Sequence, residues 1–217
     1  MTTYTTIECR CAEQLPEEFA GDDVRFPERF VEPLIKEFSE AGDVVFDPFA
    51  GFGTTLTVAE KLGRRAYGLE SDLKRAEYTR ARMTVPGNLI CGDSRRLSSF
   101  TFPLIDLSVT SPPYPLRSGK SSVSVRKECP GIENGYDSYI NCLRYIFAQL
   151  RGIMKPRAKL VIEAGNLRSE GFVTPLAWDI AEAVSRELCF EGERIIKWDR
   201  SNFGFDHTYC MVFSRKI

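Results

Sequence analysis

The chain has 217 residues, a formal net charge of −1 and 43% hydrophobic residues, with a pI near 6.0. That is apolar material for one well-packed core and a length suited to a single domain. It excludes a strongly basic, non-specific polyelectrolyte binder, and the absence of a long apolar run excludes a helix that spans a bilayer. Seven cysteines, an odd number at irregular spacing, point to reduced thiols in a cytoplasmic compartment rather than a disulfide framework. Cys9 and Cys11 form a CxC pair, but no second pair lies at zinc spacing, so no metal site is expected.

Residues 1–24 read as an irregular N-terminal extension, Thr-rich and then acidic, ahead of a single domain over 25–217. At Arg25-Phe26-Pro27-Glu28 a helix starts, with proline in its first turn. Phe30, Val31, Leu34, Ile35 and Phe38 follow at helical spacing and face a core. Val44–Asp47 is a short buried strand. It runs into Pro48-Phe49-Ala50-Gly51-Phe52-Gly53, a glycine-rich turn, and a helix opens at Thr54-Thr55 and closes at Gly63. Glycine lets this backbone take positive φ and lets a ligand approach the main chain. In an open α/β sheet, the crevice at the carboxyl end of the first strand is the usual ligand site. The turn has no lysine and is preceded by an acid, which argues against a phosphate cradle.

The next strand, Ala66–Leu69, ends in Glu70-Ser71. An acid there, roughly 20 residues past a glycine loop, is where doubly wound nucleotide folds bind ribose hydroxyls. Glu70 is also readable, with Asp72, as charge at the N-terminus of the arginine-studded helix Leu73–Met83. Val85-Pro86-Gly87 breaks that helix. Leu89–Cys91 is a third strand running into Gly92-Asp93-Ser94, where Asp93 could equally cap the next segment. A fourth strand, Leu104–Val109, leads to Thr110-Ser111-Pro112-Pro113-Tyr114. Two successive prolines fix φ, remove two N–H donors and hold the backbone extended, which leaves carbonyl oxygens free of local donors.

The ordered set DPFAGFGTT, an acid-ended second strand and SPPY resembles the DNA amino-methyltransferase family. The resemblance covers nearly the whole chain from residue 25. It implies an α/β fold: a Rossmann-like, seven-stranded methyltransferase sheet, mostly parallel, with a C-terminal antiparallel hairpin strand. It implies S-adenosylmethionine as cofactor, held by Phe26, Pro27, Asp47, Pro48, Phe49, Ala50, Gly51, Gly53, Thr54, Thr55, Glu70, Ser71, Asp93 and Ser94. In that family the Pro-Glu helix encloses the methionine end, and the acid at Asp93 meets the adenine amino group.

Ser111, Pro112, Pro113 and Tyr114 are then the catalytic residues. An exocyclic base amine is a poor nucleophile because its lone pair is delocalised into the ring. Acceptors on its hydrogens, here Ser111 Oγ and the Pro112 carbonyl, free that lone pair, and Tyr114 offers a flat face to a flipped base. The protein contributes mainly position and electrostatics, and no strong general base is required. Serine in first place is typical of relatives that modify the 4-amino group of cytosine, so DNA cytosine is the favoured target. RNA with the same site is the alternative, and a non-catalytic subunit retaining the cofactor fold is a third reading.

Residues 115–136 read as a loop whose Arg117, Lys120, Arg126 and Lys127 could neutralise phosphates. A helix over Tyr139–Met154, ended by Lys155-Pro156, a strand at Lys159–Glu163, a helix from Pro175 to Leu188 and two strands at Arg194–Trp198 and Tyr209–Phe213 complete the chain. His207, the single histidine, reads as structural or as a wall of the base site. Only the 115–136 loop is spare for target recognition, so a homodimer, a partner subunit, a single-stranded substrate or an RNA substrate is expected to meet the shortfall.

Overall fold

The computed structural model describes residues 4–8, 14–19, 25–114, 135–169, 172–202 and 205–215. Ten strands and five α-helices are described. In order they are β1 (Tyr4–Ile7), α1 (Glu28–Phe38), β2 (Val44–Asp47), α2 (Thr54–Lys61), β3 (Arg65–Glu70), α3 (Leu73–Arg80), β4 (Leu89–Cys91) and β5 (Ile105–Thr110). Then come α4 (Tyr136–Ile153), β6 (Met154–Ala164), β7 (Leu167–Ser169), β8 (Phe172–Thr174), α5 (Leu176–Ser185), β9 (Cys189–Asn202) and β10 (Phe205–Ser214).

The main sheet runs β1-β9-β10-β6-β5-β2-β3-β4. From β6 to β4 every pairing is parallel, and β10 lies antiparallel to both β6 and β9. Parallel strands must be covered on both faces, so they read as continuous apolar runs; all four residues of β2 are buried. One face is packed by α4 and α5 around Phe46, Leu143, Phe147, Ile180 and Phe213. The other is packed by α1, α2 and α3 around Phe30, Ile35, Leu56, Ala76 and Val161. The chain winds from β2 outward to β3 and β4, then returns to place β5 on the other side of β2. That reversal opens a crevice beyond the carboxyl ends of β2 and β5, where ligands bind in doubly wound sheets.

The main sheet has eight strands, not the seven expected. The extra one is β1, from the stretch read as irregular. It pairs in parallel with β9, Tyr4 opposite Ile195 and Ile7 opposite Trp198, and buries Ile7. A 14-residue β9 would otherwise leave a long open edge, which sheets tend to cover. Three boundaries also differ. Helix α3 stops at Arg80, α4 starts at Tyr136, and β6 begins at Met154, directly after α4. Pro156 therefore lies within a strand. It is accommodated because the β5–β6 register shifts there, between the pairs Ile105–Met154 and Leu107–Lys159, and proline is tolerated at such irregularities. The small β7–β8 hairpin was not foreseen either.

Candidate active site at the tips of β2 and β5

The tip of β2 is organised by Asp47, 3% exposed. Its Oδ1 accepts from the Phe49 amide at 2.9 Å and from Thr110 Oγ1 at 2.6 Å. Thr110 ends β5 and precedes Ser111, so one carboxylate ties the glycine loop to the start of SPPY. Thr55 adds a second tie, donating to the Val109 carbonyl at 3.2 Å. Burial pushes the Asp47 carboxyl up to about 6, although its hydrogen bonds with Thr110, Phe49 and Thr55 oppose this.

The loop itself turns at Gly51 (φ 53°) and Gly53 (φ 78°), and Gly53 stands at the N-cap of α2. Its shape is held from behind. Thr79 of α3 donates to the Gly51 carbonyl at 3.1 Å, and Arg82 donates to the Phe52 carbonyl at 3.0 Å. Phe52, between the glycines, is buried and packs edge-on against Phe19 and Tyr78. Arg25 and Arg75 lie over its ring at 5.9 and 5.1 Å. Phe52 is thus an anchor that the sequence reading passed over. Phe26 stacks on Phe30 at 5.0 Å and Pro27 caps α1, so the α1 N-terminus lies beside this loop through Arg25.

Glu70 ends β3 with 3% exposure. Its Oε2 accepts from the Gly51 amide at 2.7 Å and its Oε1 from the Asp72 amide at 2.8 Å. Burial raises its pKa despite these bonds. A carboxylate has about four lone-pair sites, so acceptor capacity remains for hydroxyls. Glu70 lines an open pocket with Pro48, Phe49, Leu69, Ser71 and Ser94. The Ser71 hydroxyl there is buried with no hydrogen-bond partner among the described residues, the kind of atom a polar ligand satisfies. Ser94, also buried, donates to the Pro48 carbonyl. A buried acid, an orphaned hydroxyl and apolar walls suit a ligand that combines hydroxyl groups with an apolar face.

Asp93 caps the turn after β4, accepting from the Arg95 amide at 2.9 Å, and its carboxylate also pairs with the Arg95 guanidinium. Ala50 and Thr54 are buried behind the loop. Arg117, Lys120, Arg126 and Lys127 lie outside the described residues, as do Cys9 and Cys11. Among the described residues no group of acids, cysteines and histidine could hold a metal ion, and no helix is long and apolar enough to cross a membrane.

The SPPY segment leaves β5 with Pro112 buried and Ser111, Pro113 and Tyr114 partly so. Ser111 Oγ donates to Glu163 Oε2 at 2.8 Å, and the Tyr114 hydroxyl donates to the same oxygen at 3.2 Å. The Gly165 amide in turn donates to the Tyr114 hydroxyl at 2.9 Å. Glu163 lies near the end of β6, adjacent to β5, and is 6% exposed. The sequence reading ended a strand on this residue and gave it no role. The sequence offered only part of the signal, an acid closing an apolar strand run; that this strand lies beside β5 is decided by the fold. Farther along the rim, His207 Nε2 meets the Tyr209 hydroxyl at 3.2 Å, and Tyr209 packs against Trp178 at 4.9 Å.

Comparison with known proteins agrees with this architecture. Residues 13–81 match the family model described as DNA methylase. That segment contains the α1 start, the glycine loop and Glu70, and stops before Asp93 and Ser111. The chain is 37% identical over 68 residues to the type II methyltransferase M2.DpnII of Streptococcus pneumoniae, covering 31% of this chain and 25% of that protein. It is 41% identical over 54 residues to the type II methyltransferase M.BglII of Bacillus subtilis, covering 25% and 15%. The chain thus spans a quarter or less of these curated relatives.

Among solved structures, TrmN from Thermus thermophilus superposes with a TM-score of 0.65 at 17% identity, over 92% of this chain and 52% of that one. A TehB-like SAM-dependent methyltransferase from Corynebacterium glutamicum gives 0.58 at 16% identity, over 92% and 93%. The fold is therefore the Rossmann-like methyltransferase fold, and through the segment that builds its glycine-loop tip the chain resembles the DNA amino-methyltransferases.

Proposed function

We propose that this chain is an S-adenosylmethionine-dependent methyltransferase acting on an exocyclic base amine, with the 4-amino group of cytosine in DNA as its target. The observation that carries this reading is the 2.6 Å bond from Thr110 to Asp47, which joins the glycine-loop tip to the SPPY tip. A methyl can cross only if donor and acceptor sites are neighbours, and this bond makes the two strand tips neighbours.

When bound, S-adenosylmethionine supplies a methyl already activated by its sulfonium. Glu70 and Ser71 hold its nucleoside hydroxyls, Asp47 and the amides of residues 49–53 shape the loop around it, and Phe49 and Pro48 give the apolar wall. Asp93 and Ser94 border the base end, with Asp93 held by Arg95. Phe26, Pro27, Ala50, Thr54 and Thr55 back this cradle. Ser111 commits its proton to Glu163, which leaves its lone pairs as acceptors for an amine hydrogen. The Pro112 carbonyl accepts the second, and the Tyr114 ring, with its hydroxyl pinned by Gly165, is the stacking face. Orientation and fixed acceptors are the protein's contribution to rate. Arg117, Lys120, Arg126 and Lys127 neutralise phosphates, and a second copy or a partner subunit completes target recognition.

The test supplies methyl-labelled cofactor with duplex DNA, single-stranded DNA and RNA in parallel and identifies the modified nucleoside by mass. Label in 4-methylcytosine from DNA is the expected result. Label in 6-methyladenine overturns the base assignment, label in RNA overturns the polymer, and no transfer to any of them overturns the activity. Ser111→Ala should abolish transfer while cofactor binding persists.

A further inference from the structure

We infer that Glu163 is the positioning residue of this site: it orients the Ser111 hydroxyl before methyl transfer and receives, through Ser111, the proton that the target amine loses. This inference rests on the methyltransferase reading above. It starts from an otherwise costly feature. Glu163 is 6% exposed, and among the described residues no cation pairs with it. A buried carboxylate is expensive to ionise. The hydroxyls that offset the cost include both of those in SPPY, since Ser111 and Tyr114 converge on Oε2 at 2.8 and 3.2 Å. Were the role of Glu163 purely structural, an apolar residue of similar volume would serve this buried position more simply.

The geometry has a chemical consequence. An ionised carboxylate only accepts, so the Ser111 proton is committed to it and the Ser111 lone pairs stay available to the amine. Once Glu163 is protonated, that commitment is lost, and Ser111 can present a proton where an acceptor is needed. During transfer the amine nitrogen bonds to the methyl carbon as the carbon–sulfur bond breaks, its electron pair leaving on sulfur. The resulting N-methylated cation gives a proton to Ser111 Oγ, which passes its own to Glu163 Oε2. The site ends with a neutral methylamine and a neutral carboxylic acid, and the proton returns to water at product release.

The groups that bear electrostatically on Glu163 are Tyr114, from the loop after β5, and Cys210, its register partner on β10. Burial raises the Tyr114 phenol well above its ordinary value and the Cys210 thiol to about 12, so both are neutral near pH 7. Burial also raises the Glu163 carboxyl, with the hydroxyls of Ser111, Thr208 and Tyr114 pulling the other way. An acid whose pKa is raised is the better proton acceptor.

Two measurements test this. In protein labelled with 13C at glutamate side-chain carboxyls, Glu70 and Glu163 should titrate above the other glutamates, and Glu163→Gln identifies the second. Ser111→Ala removes a donor to the carboxylate, so the Glu163 signal should move to higher pH. In single-turnover assays, Glu163→Gln should lose about 10²-fold in rate, the low end of proton-transfer contributions, with cofactor affinity unchanged within about twofold. It should also lose the acid limb of the wild-type pH profile. A Glu163 titration indifferent to Ser111→Ala overturns the inference, as does a Glu163→Gln enzyme with wild-type rate and an intact acid limb. If Glu163→Gln does not fold, the carboxyl titration alone decides. A wild-type protein that methylates no polynucleotide overturns the parent reading and this inference with it, a result distinct from an active enzyme indifferent to Glu163.

Discussion

Gly53→Ala should damage the protein through two separable terms. Gly53 sits at φ 78° as the N-cap of α2, and the left-handed region costs a non-glycine residue ~1–2 kcal/mol. A Cβ there would stand 2.2 Å from Thr79 Cγ2 and 3.0 Å from Thr79 Oγ1. Thr79 is fully buried and its hydroxyl holds the Gly51 carbonyl at 3.1 Å, so it cannot step aside without releasing the loop. Overpacking of this kind costs ~1–3 kcal/mol. The sum is ~2–5 kcal/mol, a large share of the ~5–15 kcal/mol that holds a typical domain folded. Urea unfolding of the wild type, Gly53→Ala, Thr79→Ser and the double variant reads both terms. Thr79→Ser removes the nearest atom and keeps the hydroxyl, so the double variant should recover the steric part and retain the ~1–2 kcal/mol of backbone strain. A Gly53→Ala protein within ~0.5 kcal/mol of wild type, or a double variant with no recovery, refutes the reasoning.

Other residues give further tests. The Asp47 carboxyl rises from an ordinary 3.8 to about 6, so the folded state binds this proton more tightly than the unfolded one. Its contribution to stability is therefore greatest below pH 3.8 and is lost as pH rises through about 6, a difference of up to ~3 kcal/mol. Asp47→Asn should flatten that part of the stability–pH curve and raise the melting temperature at pH 7 while weakening cofactor binding; an unchanged curve would be the contrary result. Glu70→Gln replaces an acceptor that serves two backbone amides. Losing charge-assisted bonds worth ~1.5–3 kcal/mol should raise the cofactor Kd by about 10- to 100-fold in calorimetry, and an equal Kd would remove Glu70 from the site. Tyr114→Phe keeps the ring but loses the bonds to Gly165 and Glu163, so single-turnover transfer should slow by about 10-fold or more, since each bond is worth ~0.5–1.5 kcal/mol, with cofactor affinity intact. A loss of cofactor affinity instead would mean that the two strand tips do not act separately.

Much of the architecture was legible because its signals are local. Buried parallel strands read as short apolar runs, which located β2, β3, β4 and β5 to within a residue or so. Proline and glycine punctuate the backbone wherever they occur, which located the loop after β2 and the turn at SPPY. The acid at position 70 was recognisable from its distance to the glycines. The stretch Tyr4–Ile7 was not legible as a strand, since four residues with no apolar alternation carry no period, and only the open edge of β9 gives them a partner. Pro156 looked like a breaker because the register shift that admits it belongs to the pairing of two strands.

By itself the sequence determined the strands and helices of the parallel part of the sheet, where the backbone must bend, and which residue types stand at those strand ends. Those properties depend on side chains and dihedrals within a few residues. The tertiary structure alone decided that Asp47 meets Thr110 across 63 residues and that Ser111 meets Glu163 across 52. Such meetings depend on strand order, and strand order follows from which faces can be buried together and how the chain can cross the sheet. No local window holds that information, and so the carboxylate that organises the SPPY loop became visible only once β6 lay beside β5.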